Sequence, residues 1–367
     1  MRALQNVLVT GGAGFIGSNF IHYLFAQPEF SGRVINVDAL TYAGNLDNLT
    51  EIEQSFGGAD SAASARYVFE RCDIRDNAAV AALFERYQID TVVHLAAESH
   101  VDRSISGPRA FIETNVIGTF NLLEAARSAW RGAAGGGRGD VLFHHVSTDE
   151  VFGSLGDEGA FSEETPYDPR SPYSASKAGS DHLVRAYGHT YALPFTLSNC
   201  SNNYGPYQFP EKMVPLMILN ALEGKQLPVY GQGTNVRDWL YVEDHADAIW
   251  RILQRGRSGR TYLIGGENEW QNLRLVHAIC DKVAALLGEP AEQLRGLIRF
   301  VKDRPGHDQR YAVDCSKIKQ ELGWRPRHAF DAGLDATISW YRDNTQWVER
   351  VRSGAYKDWI EANYAGR

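Results

Sequence analysis

The sequence predicts an α/β fold, a doubly wound parallel sheet with a second, smaller mixed α/β lobe. In the first half of the 367-residue chain, short apolar runs rich in β-branched residues alternate with longer amphipathic stretches, which is typical of parallel strands joined by crossover helices. After about Pro194 this alternation weakens, and Pro, Gly and aromatic segments become frequent. We therefore expect two domains, residues 1–195 and 196–367, with short returns of the second half into the first.

Five strands and three helices are predicted in the first half. The strand segments are NVLVT, RVINVD, RYVFERCD, TVVHLA and VLFHHVS. The segments GSNFIHYLFAQ, NAAVAALFERYQ and IETNVIGTFNLLEAARSAW carry apolar residues at helical spacing. Two segments without periodicity, SFGGADSAASA and GAAGGGRGD, are predicted to be loops without a functional role. The second lobe is expected to end in a helical tail, LDATISWYRDNTQWVERV.

Charge and composition argue against several classes of protein. A formal net charge of −8 argues against a nucleic-acid-binding surface, so an anionic ligand would need locally placed Arg or Lys. The apolar stretches are shorter than the ~18 residues of a membrane span, and the N-terminal segment lacks a signal-peptide apolar core. We therefore expect a cytoplasmic protein. The cysteines show no metal-site spacing and are predicted to be buried thiols: Cys72, Cys200, Cys280 and Cys315.

A glycine triplet lies between the first predicted strand and the first predicted helix. In VLVTGGAGFIGSNF, Gly11 permits a tight turn, Gly14 lets backbone N–H groups approach a pyrophosphate, and Gly17 lets the helix pack near the strand. Asp38 ends the second strand about twenty residues later, where a carboxylate binds the adenosine ribose. The pattern predicts a Rossmann-type site that prefers NAD to NADP; the alternative for Asp38 is a surface turn. The segment CDIRD adds two candidates for contact with the adenine, Asp73 and Ile74.

A tyrosine and a lysine are spaced four residues apart in SPYSASKAGSDHLVRAY. Residues at this spacing share one face of a helix, and Pro172 suits the first turn of that helix. An ammonium beside a phenol stabilises the phenolate. Lys177 is therefore expected to lower the pKa of Tyr173 towards neutrality and to make it a base for a sugar or alcohol hydroxyl. The alternative is a surface Tyr–Lys pair without a catalytic role.

Three motifs, TGGAGFIG, HLAAESHVDRS and YSASK, resemble those of the extended short-chain dehydrogenase/reductase superfamily. The resemblance implies bound NAD and hydride transfer at Tyr173 and Lys177. It also implies a homodimer in which two amphipathic helices of each subunit form a four-helix bundle; the alternative is a monomer that buries both helices internally. Further cofactor contacts are implied at Phe15, Ile16, Leu40, Thr41, Leu95, Ala96, Ala97, Ser99, Thr114 and Asn203.

Two adjacent carboxylates follow the fifth strand in VSTDEVFG. A simple dehydrogenase does not need them, so Asp149 and Glu150 indicate a further step. Once a sugar C4 hydroxyl is oxidised to a ketone, one carboxylate could remove the acidic C5 proton while the other, protonated, releases the C6 hydroxyl as water. Mutual repulsion in a dry cleft would separate the two pKa values. The alternative is a helix N-cap at Thr148 with acidic residues in the first turn.

The segment STDEVFG resembles the signature of the nucleotide-sugar 4,6-dehydratases, and of those acting on dTDP-glucose in particular. The resemblance runs from residue 7 nearly to the C-terminus. It implies that Asp149 is the acid at C6, Glu150 the base at C5, Tyr173 the base at C4, and Thr148 a partner of the substrate hydroxyl. It also implies substrate contacts at Ser99, Asn202, Glu211, Lys212, Pro228, Tyr230, Arg237, Asn272, Arg304 and His307.

Several of these assignments have simpler alternatives. Arg237 and Arg304 suit a diphosphate because guanidinium groups match phosphate oxygens, but isolated arginines are more often solvated surface charges. Asn202 and Asn203 could instead form a turn. His307 has no Cys or His at ligand spacing, and we expect no metal there.

Three hypotheses for the function remain open. The first is an NAD-retaining dTDP-glucose 4,6-dehydratase. The second is a UDP-glucose 4,6-dehydratase or a nucleotide-sugar 4-epimerase, and the epimerase would not need the carboxylate pair. The third is an NAD-sensing regulatory protein on the same fold, in which the Tyr-x-x-x-Lys pair would not be needed.

Overall fold

The computed structural model describes residues 2–58, 65–130 and 140–352. The predicted loop GAAGGGRGD lies outside the described residues except for Asp140. The predicted loop SFGGADSAASA lies outside them at residues 59–64, and its first two residues end a helix, Thr50–Phe56, instead of starting a loop. Along the described ranges, no helix is long and apolar enough to cross a membrane.

A seven-stranded sheet forms the centre of the molecule, with strand order β10-β6-β5-β4-β1-β2-β3. Every neighbouring pair in it is parallel, which confirms the predicted doubly wound parallel sheet. The second half of the chain supplies two strands, β6 and β10, that extend the five predicted ones. The strands are β1 Asn6–Thr10, β2 Arg33–Asp38, β3 Tyr67–Arg71, β4 Thr91–His94, β5 Leu142–Thr148, β6 Phe195–Cys200 and β10 Arg260–Ile264.

Helices cover both faces of this sheet because its strands are apolar on both sides. Val7 and Val9 of β1 belong to an apolar cluster with α1 and α9, whereas Leu8 between them packs on the other face with α3, α6 and α7. This alternation follows from the two-residue period of a strand. The helices concerned are α1 Phe15–Phe25, α3 Asn77–Tyr87, α6 Thr119–Trp130, α7 Pro172–Tyr191 and α9 Val242–Arg255.

The predicted helix over residues 112–130 is part of a longer helical run that begins at Pro108. Short helices α4 (Val101–Ser106) and α5 (Pro108–Phe111) precede the predicted segment, and a π-helical stretch, Ile112–Gly118, joins α5 to α6. Within this stretch the side chain of Asn115 donates to Ser176 Oγ at 2.8 Å and to the Glu98 carbonyl at 3.0 Å. These bonds tie the stretch to α7 and to the loop after β4.

The smaller lobe has a three-stranded sheet, β11-β9-β7, and a parallel pair, β12-β8. Helices pack around them on a continuous apolar core that includes Tyr204, Met217, Ile279 and Leu334. The strands are β7 Asn202–Tyr204, β8 Leu227–Tyr230, β9 Val236–Tyr241, β11 Glu269–Gln271 and β12 Ile298–Val301. The remaining helices are α2 Thr50–Phe56, α8 Met213–Leu222, α10 Asn272–Leu287, α11 Ala291–Arg295, α12 Ser316–Leu322, α13 Phe330–Asp343 and α14 Thr345–Val351.

Candidate active site

Two adjoining cavities lie where the strands of the central sheet end and the smaller lobe begins. The larger has a volume of about 380 Å³ and the smaller about 190 Å³. In open parallel sheets, ligands bind outside the carboxyl ends of the strands. The two cavities share a lining and so form one cleft, the shared residues being Ser99, Glu150, Asn202, Asn203, Gln208, Glu211 and Lys212.

The glycine loop enters helix α1 with almost no space for side chains. Gly11 has φ +70°, and a Cβ there would come within 2.8 Å of the Ala96 backbone. A Cβ on Gly17 would lie 2.2 Å from the Gly11 carbonyl oxygen. Gly14 precedes the first helical residue without a side-chain cap, so the N–H groups of the first turn face the cavity. This cradle fits a pyrophosphate.

Asp38 is held at the end of β2 by two backbone N–H groups. Its Oδ2 accepts from Ala13 N at 3.0 Å and its Oδ1 from Leu40 N at 2.8 Å. Burial raises the pKa of this carboxyl, and the two hydrogen bonds oppose that rise. Leu40 does not line the cavity; its backbone, at φ +54°, positions Asp38 instead.

The other predicted cofactor residues come together around the larger cavity. Arg75, which the sequence analysis did not anticipate, pairs there with Asp73 at 2.6 Å and lowers the pKa of that carboxyl. The residues concerned are Gly11, Gly14, Phe15, Ile16, Gly17, Asp38, Thr41, Asp73, Ile74, Leu95, Ala96, Ala97, Ser99, Thr114, Tyr173, Lys177 and Asn203.

The predicted helix with the Tyr–Lys pair is α7, and its start is firmly capped. The Ser171 side chain accepts from Ser174 N, while Ser174 Oγ accepts from Ser171 N, each at 3.0 Å. Pro172 occupies the first turn as expected. Tyr173 and Lys177 are both buried and line the larger cavity, which excludes the alternative of a surface pair.

In the chain alone, the pKa of Tyr173 is not lowered towards neutrality, as was expected from Lys177. The ammonium Nζ donates to the Val146 carbonyl at 2.9 Å. Burial, followed by the charge of Glu150, raises the pKa of Tyr173 well above its usual range, although a hydrogen bond with Thr148 opposes this. The prediction of a near-neutral tyrosine was therefore wrong for the chain by itself, because it ignored burial and the facing carboxylate.

The TDE segment forms the N-cap that was offered as the alternative, and it also lines the cavity, where its catalytic role stays a prediction. Thr148 caps a short 3-10 helix, Asp149–Phe152, because its Oγ1 accepts from Glu150 N at 3.2 Å. The same turn places Thr148, Asp149 and Glu150 in the lining of the larger cavity beside Tyr173. Asp149 is 2% exposed, and its Oδ2 has no hydrogen-bond partner among the described residues.

The two carboxyls have different electrostatic surroundings. Burial and then the charge of Glu150 raise the pKa of Asp149 well above its usual range. Burial also raises the pKa of Glu150, but Arg304, Arg237 and Lys212 all act to lower it. More cations act on the ionised form of Glu150 than on that of Asp149, so Asp149 is the better candidate for the carboxyl that keeps its proton.

Three cations line the smaller cavity and are fixed by the backbone or by acids. Arg237 donates to the carbonyls of Val236 and Asp308 at 2.8 and 2.9 Å and lies over the Tyr311 ring at 4.2 Å. Lys212 Nζ donates to the Ser99 carbonyl at 3.0 Å. Arg304 Nη1 lies 3.7 Å from Asp102 Oδ1. These are the local cations that an anionic ligand would need.

The remaining predicted substrate residues also line the cleft. Glu211 is buried under Arg103, whose Nη2 donates to its Oε2 at 3.2 Å. Tyr230 donates to Asp102 at 2.8 Å. The predicted set is Thr148 in the larger cavity, Ser99, Asn202, Glu211 and Lys212 in both, and Pro228, Tyr230, Arg237, Asn272, Arg304 and His307 in the smaller one.

Several cleft residues were missed by the sequence analysis. Tyr42 lines the cofactor side, and Arg103 lies over its ring at 3.7 Å. Tyr311 lines the smaller cavity and Cys200 the larger. The motifs HVDRS and TYAG contain Arg103 and Tyr42, but nothing in either motif indicates that the two side chains stack. In the described part of the chain, no group of three or more His, Cys, Asp or Glu could hold a metal ion.

Comparisons with known proteins identify the family of the chain. The model of the GDP-mannose 4,6 dehydratase family matches residues 8–337. The dTDP-glucose 4,6-dehydratase of Salmonella typhimurium strain LT2 is 54% identical over 372 residues, which span 99% of this chain and 100% of that protein.

Solved structures extend the similarity to the fold. DesIV, a dTDP-glucose 4,6-dehydratase from Streptomyces venezuelae crystallised with NAD, gives a TM-score of 0.83 at 45% identity, covering 95% of this chain and 100% of that chain. The UDP-glucose 4-epimerase of Thermotoga maritima with UDP-glucose gives a TM-score of 0.79 at 26% identity, covering 93% and 100%. The chain therefore belongs to the family of the dTDP-glucose 4,6-dehydratases, within the short-chain dehydrogenase/reductase superfamily.

Proposed function

We propose that this chain is an NAD-retaining dTDP-glucose 4,6-dehydratase that converts dTDP-glucose to dTDP-4-keto-6-deoxyglucose and water. The observation that carries the proposal is the pairing of Asp149 and Glu150 with Tyr173 in one buried cleft. A tyrosine alone would serve oxidation at C4. The carboxylate pair adds the acid and the base that loss of water requires.

The larger cavity suits NAD. Gly11 and Gly17 allow the loop to pack tightly against the Ala96 backbone and the Gly11 carbonyl, which leaves the loop and the first turn of α1 to line the cavity as a pyrophosphate site would. Asp38 lines the same cavity, where it could bind the ribose. A 2′-phosphate would meet this carboxylate, which favours NAD over NADP. When bound, NAD would accept the hydride from C4 and, in its reduced form, supply it to C6. DesIV, which contains NAD, supports this assignment.

Tyr173 would take the proton of the C4 hydroxyl as that carbon is oxidised. Thr148 would hydrogen-bond the reacting oxygen, which its position beside Tyr173 at the end of β5 supports. Lys177 supplies a positive charge on the same helix face. The raised pKa of Tyr173 makes this charge necessary, since an uncompensated phenolate in a buried site would be costly.

The two carboxyls divide the dehydration between them. Glu150, which faces three cations, would act as the base that removes the C5 proton. Asp149, whose pKa is raised well above its usual range, would act as the acid that protonates the C6 hydroxyl as it leaves as water. The spacing of the pair alone could not give this order; the surrounding charges support it.

The smaller cavity would bind the nucleotide part of the substrate. Lys212, Arg237 and Arg304 would neutralise the diphosphate, and the last two offer planar donor groups that match its oxygens. Pro228 and Tyr230 would pack on the base, while Asn272 and His307 complete the pocket. Asn202 lines both cavities, where its amide could donate to the diphosphate.

A nucleotide-sugar 4-epimerase is the second candidate, since an epimerase shares the fold at a TM-score of 0.79. Epimerisation at C4 does not need an acid at C6, so the buried Asp149 favours the dehydratase. UDP-glucose differs from dTDP-glucose by the missing methyl on the base, worth about 1 kcal/mol of pocket contact, and by an added 2′-hydroxyl on the ribose. The intact Tyr173 and Lys177 argue against a purely NAD-sensing protein.

We also propose a homodimer formed through α6, α7 and the helical stretch before α6. Ile112, Ile117 and Phe120 are 47%, 47% and 40% exposed on this run, and helices α6 and α7 pack against each other. Such a surface suits a four-helix bundle. The free cysteines support a reducing compartment, so we propose the cytoplasm. Light scattering of the purified protein tests the dimer, which a monomeric mass would contradict.

The proposed function is tested by incubating the purified protein separately with dTDP-glucose and UDP-glucose, without added NAD, and analysing the product by mass spectrometry and NMR. We expect the 4-keto-6-deoxy sugar from dTDP-glucose. A 4-epimer without loss of water would support the epimerase instead. Turnover that depends on added NAD would contradict retention of the cofactor.

A further inference from the structure

A third carboxylate lies behind the Tyr–Lys pair. Asp181 follows Lys177 by one turn of α7, and its side chain is completely buried. It is not among the residues that line either cavity, so contact with substrate or cofactor does not explain it. A buried carboxylate is costly unless it is paired and hydrogen-bonded.

Asp181 joins the catalytic helix to two strands. Its Oδ2 accepts from Ser147 Oγ and Tyr167 Oη, each at 2.8 Å, and lies 3.4 Å from Asn199 Nδ2. Ser147 belongs to β5, Asn199 to β6, and Tyr167 to the segment before α7. Because Ser147 directly precedes Thr148, the carboxylate anchors the strand end that carries the substrate-facing hydroxyl.

Lys177 lies one turn before Asp181 on α7 and is also buried, but its Nζ donates to the Val146 carbonyl and makes no hydrogen bond or ion pair with Asp181 among the described contacts. His145 Nε2 lies 3.1 Å from Asp181 Oδ1, but burial and the charge of Lys177 lower the pKa of His145 to about 4, so this ring is neutral at neutral pH. Burial also lowers the pKa of His94 well below its usual range and raises that of the Cys200 thiol to about 12. The other titratable groups in the cluster are Tyr173, Tyr167 and Arg185.

We propose that Asp181 is a positioning residue: it supplies the negative charge that keeps the buried Lys177 protonated, and through Ser147 it fixes the strand end that carries Thr148. This role rests on the proposed function, because it matters only if Tyr173 needs a cation beside it. Burial lowers the pKa of Lys177, and the charge of Asp181 is the largest influence that opposes it. Without the carboxylate, Lys177 would lose its proton at a lower pH.

The test follows the step that depends on Lys177. In an Asp149→Asn protein, where Asp149 cannot titrate and water loss is blocked, the absorbance of reduced cofactor after mixing with dTDP-glucose reports oxidation at C4. We measure its rate against pH with and without Asp181→Asn. The alkaline limit of the rate should fall by about 1–3 pH units when the carboxylate is removed, the usual effect of losing a close opposite charge.

Two further variants separate charge from structure. Tyr167→Phe removes one hydrogen bond to Asp181 but keeps its charge, so the alkaline limit should stay in place. Asp181→Glu restores the charge and should return the limit towards that of the parent. If Asp181→Asn slows the reaction equally at every pH, the carboxylate is only structural and the proposal is overturned. If the Asp149→Asn parent never reduces its cofactor, the proposed function itself fails.

Stability offers an independent readout, which also serves if Asp181→Asn is too unstable for kinetic measurements. That variant leaves a buried ammonium without the opposing charge of Asp181, and adding Lys177→Met removes it. We expect the double variant to fold and to melt at a higher temperature than Asp181→Asn alone. A double variant that is less stable than both single variants would contradict the interaction of the two charges.

Discussion

Replacing the two carboxyls separately tests the roles inferred from their surroundings, an acid at Asp149 and a base at Glu150. Asp149→Asn removes the proton that the proposed acid gives to the C6 hydroxyl. Glu150→Gln removes the proposed base for C5. Both variants should still oxidise C4, because Tyr173 and Lys177 are unchanged. Both should therefore accumulate reduced cofactor and a 4-keto sugar that retains its C6 hydroxyl.

The size of the effect follows from the role of each group. General acid or base catalysis by a positioned side chain contributes roughly 10²–10⁴ in rate. Asp149 Oδ2 has no hydrogen-bond partner among the described residues, and the charges of three cations act on Glu150. We expect release of the 6-deoxy product to fall by about this factor in each variant.

Isotope exchange distinguishes the two roles. In heavy water, Asp149→Asn should still exchange the C5 hydrogen of the ketone, since Glu150 remains. Glu150→Gln should lose that exchange. The matched control is the adjacent acidic pair Asp157 and Glu158, which is exposed and lines neither cavity. Its amide variants should behave as the parent. Exchange retained in Glu150→Gln but lost in Asp149→Asn would reverse the assignments.

Asp149→Asn should raise the stability of the fold although it lowers activity. The pKa of Asp149 in the folded chain is raised above the usual 3.8, so the native state binds a proton that the unfolded state releases as pH rises. The contribution of Asp149 to folding stability therefore declines with increasing pH across the interval between these two pKa values. Asparagine does not titrate, so Asp149→Asn should melt at a higher temperature than the parent at neutral pH, and calorimetry should show this difference shrinking in acid.

Three further predictions concern the cofactor and acid stability. Gly17→Ala should be purified with little NAD, measured by absorbance, because its Cβ would lie 2.2 Å from a carbonyl oxygen, whereas Gly156→Ala, with open space around it, should keep its NAD. Arg103→Met removes the cation above Tyr42 and should speed NAD loss on dialysis; Arg109→Met, on an exposed side chain, should not, and equal loss from both would contradict this. Three buried histidines, His144, His145 and His245, have folded pKa values of about 3, 4 and 3, whereas the unfolded state protonates them below about 6.5. The melting temperature should therefore fall as pH drops from about 6.5 towards 4. A melting temperature independent of pH over this range would contradict the prediction.

Local patterns were sufficient to predict the parallel sheet, the glycine loop and the Tyr–Lys helix, whereas most substrate residues of the cleft came from the family resemblance. The glycine loop, Asp38 and the Tyr–Lys helix each follow from residues close together in sequence, where strand, turn and helix chemistry act over a few positions. The sequence also predicted that Asp149 and Glu150 would lie side by side. Spacing left open which would keep its proton, and only the family resemblance assigned the acid to Asp149, because the electrostatic answer depends on Arg237 and Arg304, which come from the other lobe.

Other features depend on contacts that are distant in the chain. Arg103 pairs with Glu211 across 108 positions, and the apolar or polar pattern around either residue does not indicate the other. The high pKa of Tyr173 was missed for the same reason, since burial and Glu150 outweigh a lysine that instead donates to Val146. Strands β6 and β10 joined the sheet from a part of the sequence where the strand–helix alternation had weakened.

The central claim is that one site removes a hydride from C4 and returns it to C6 of the same sugar. Incubating the protein with dTDP-glucose that carries deuterium at C4, without added NAD, tests it most directly. We predict a product with deuterium in its C6 methyl group. Deuterium lost to the medium, or retained at C4 in a sugar that still has its C6 hydroxyl, would contradict the account.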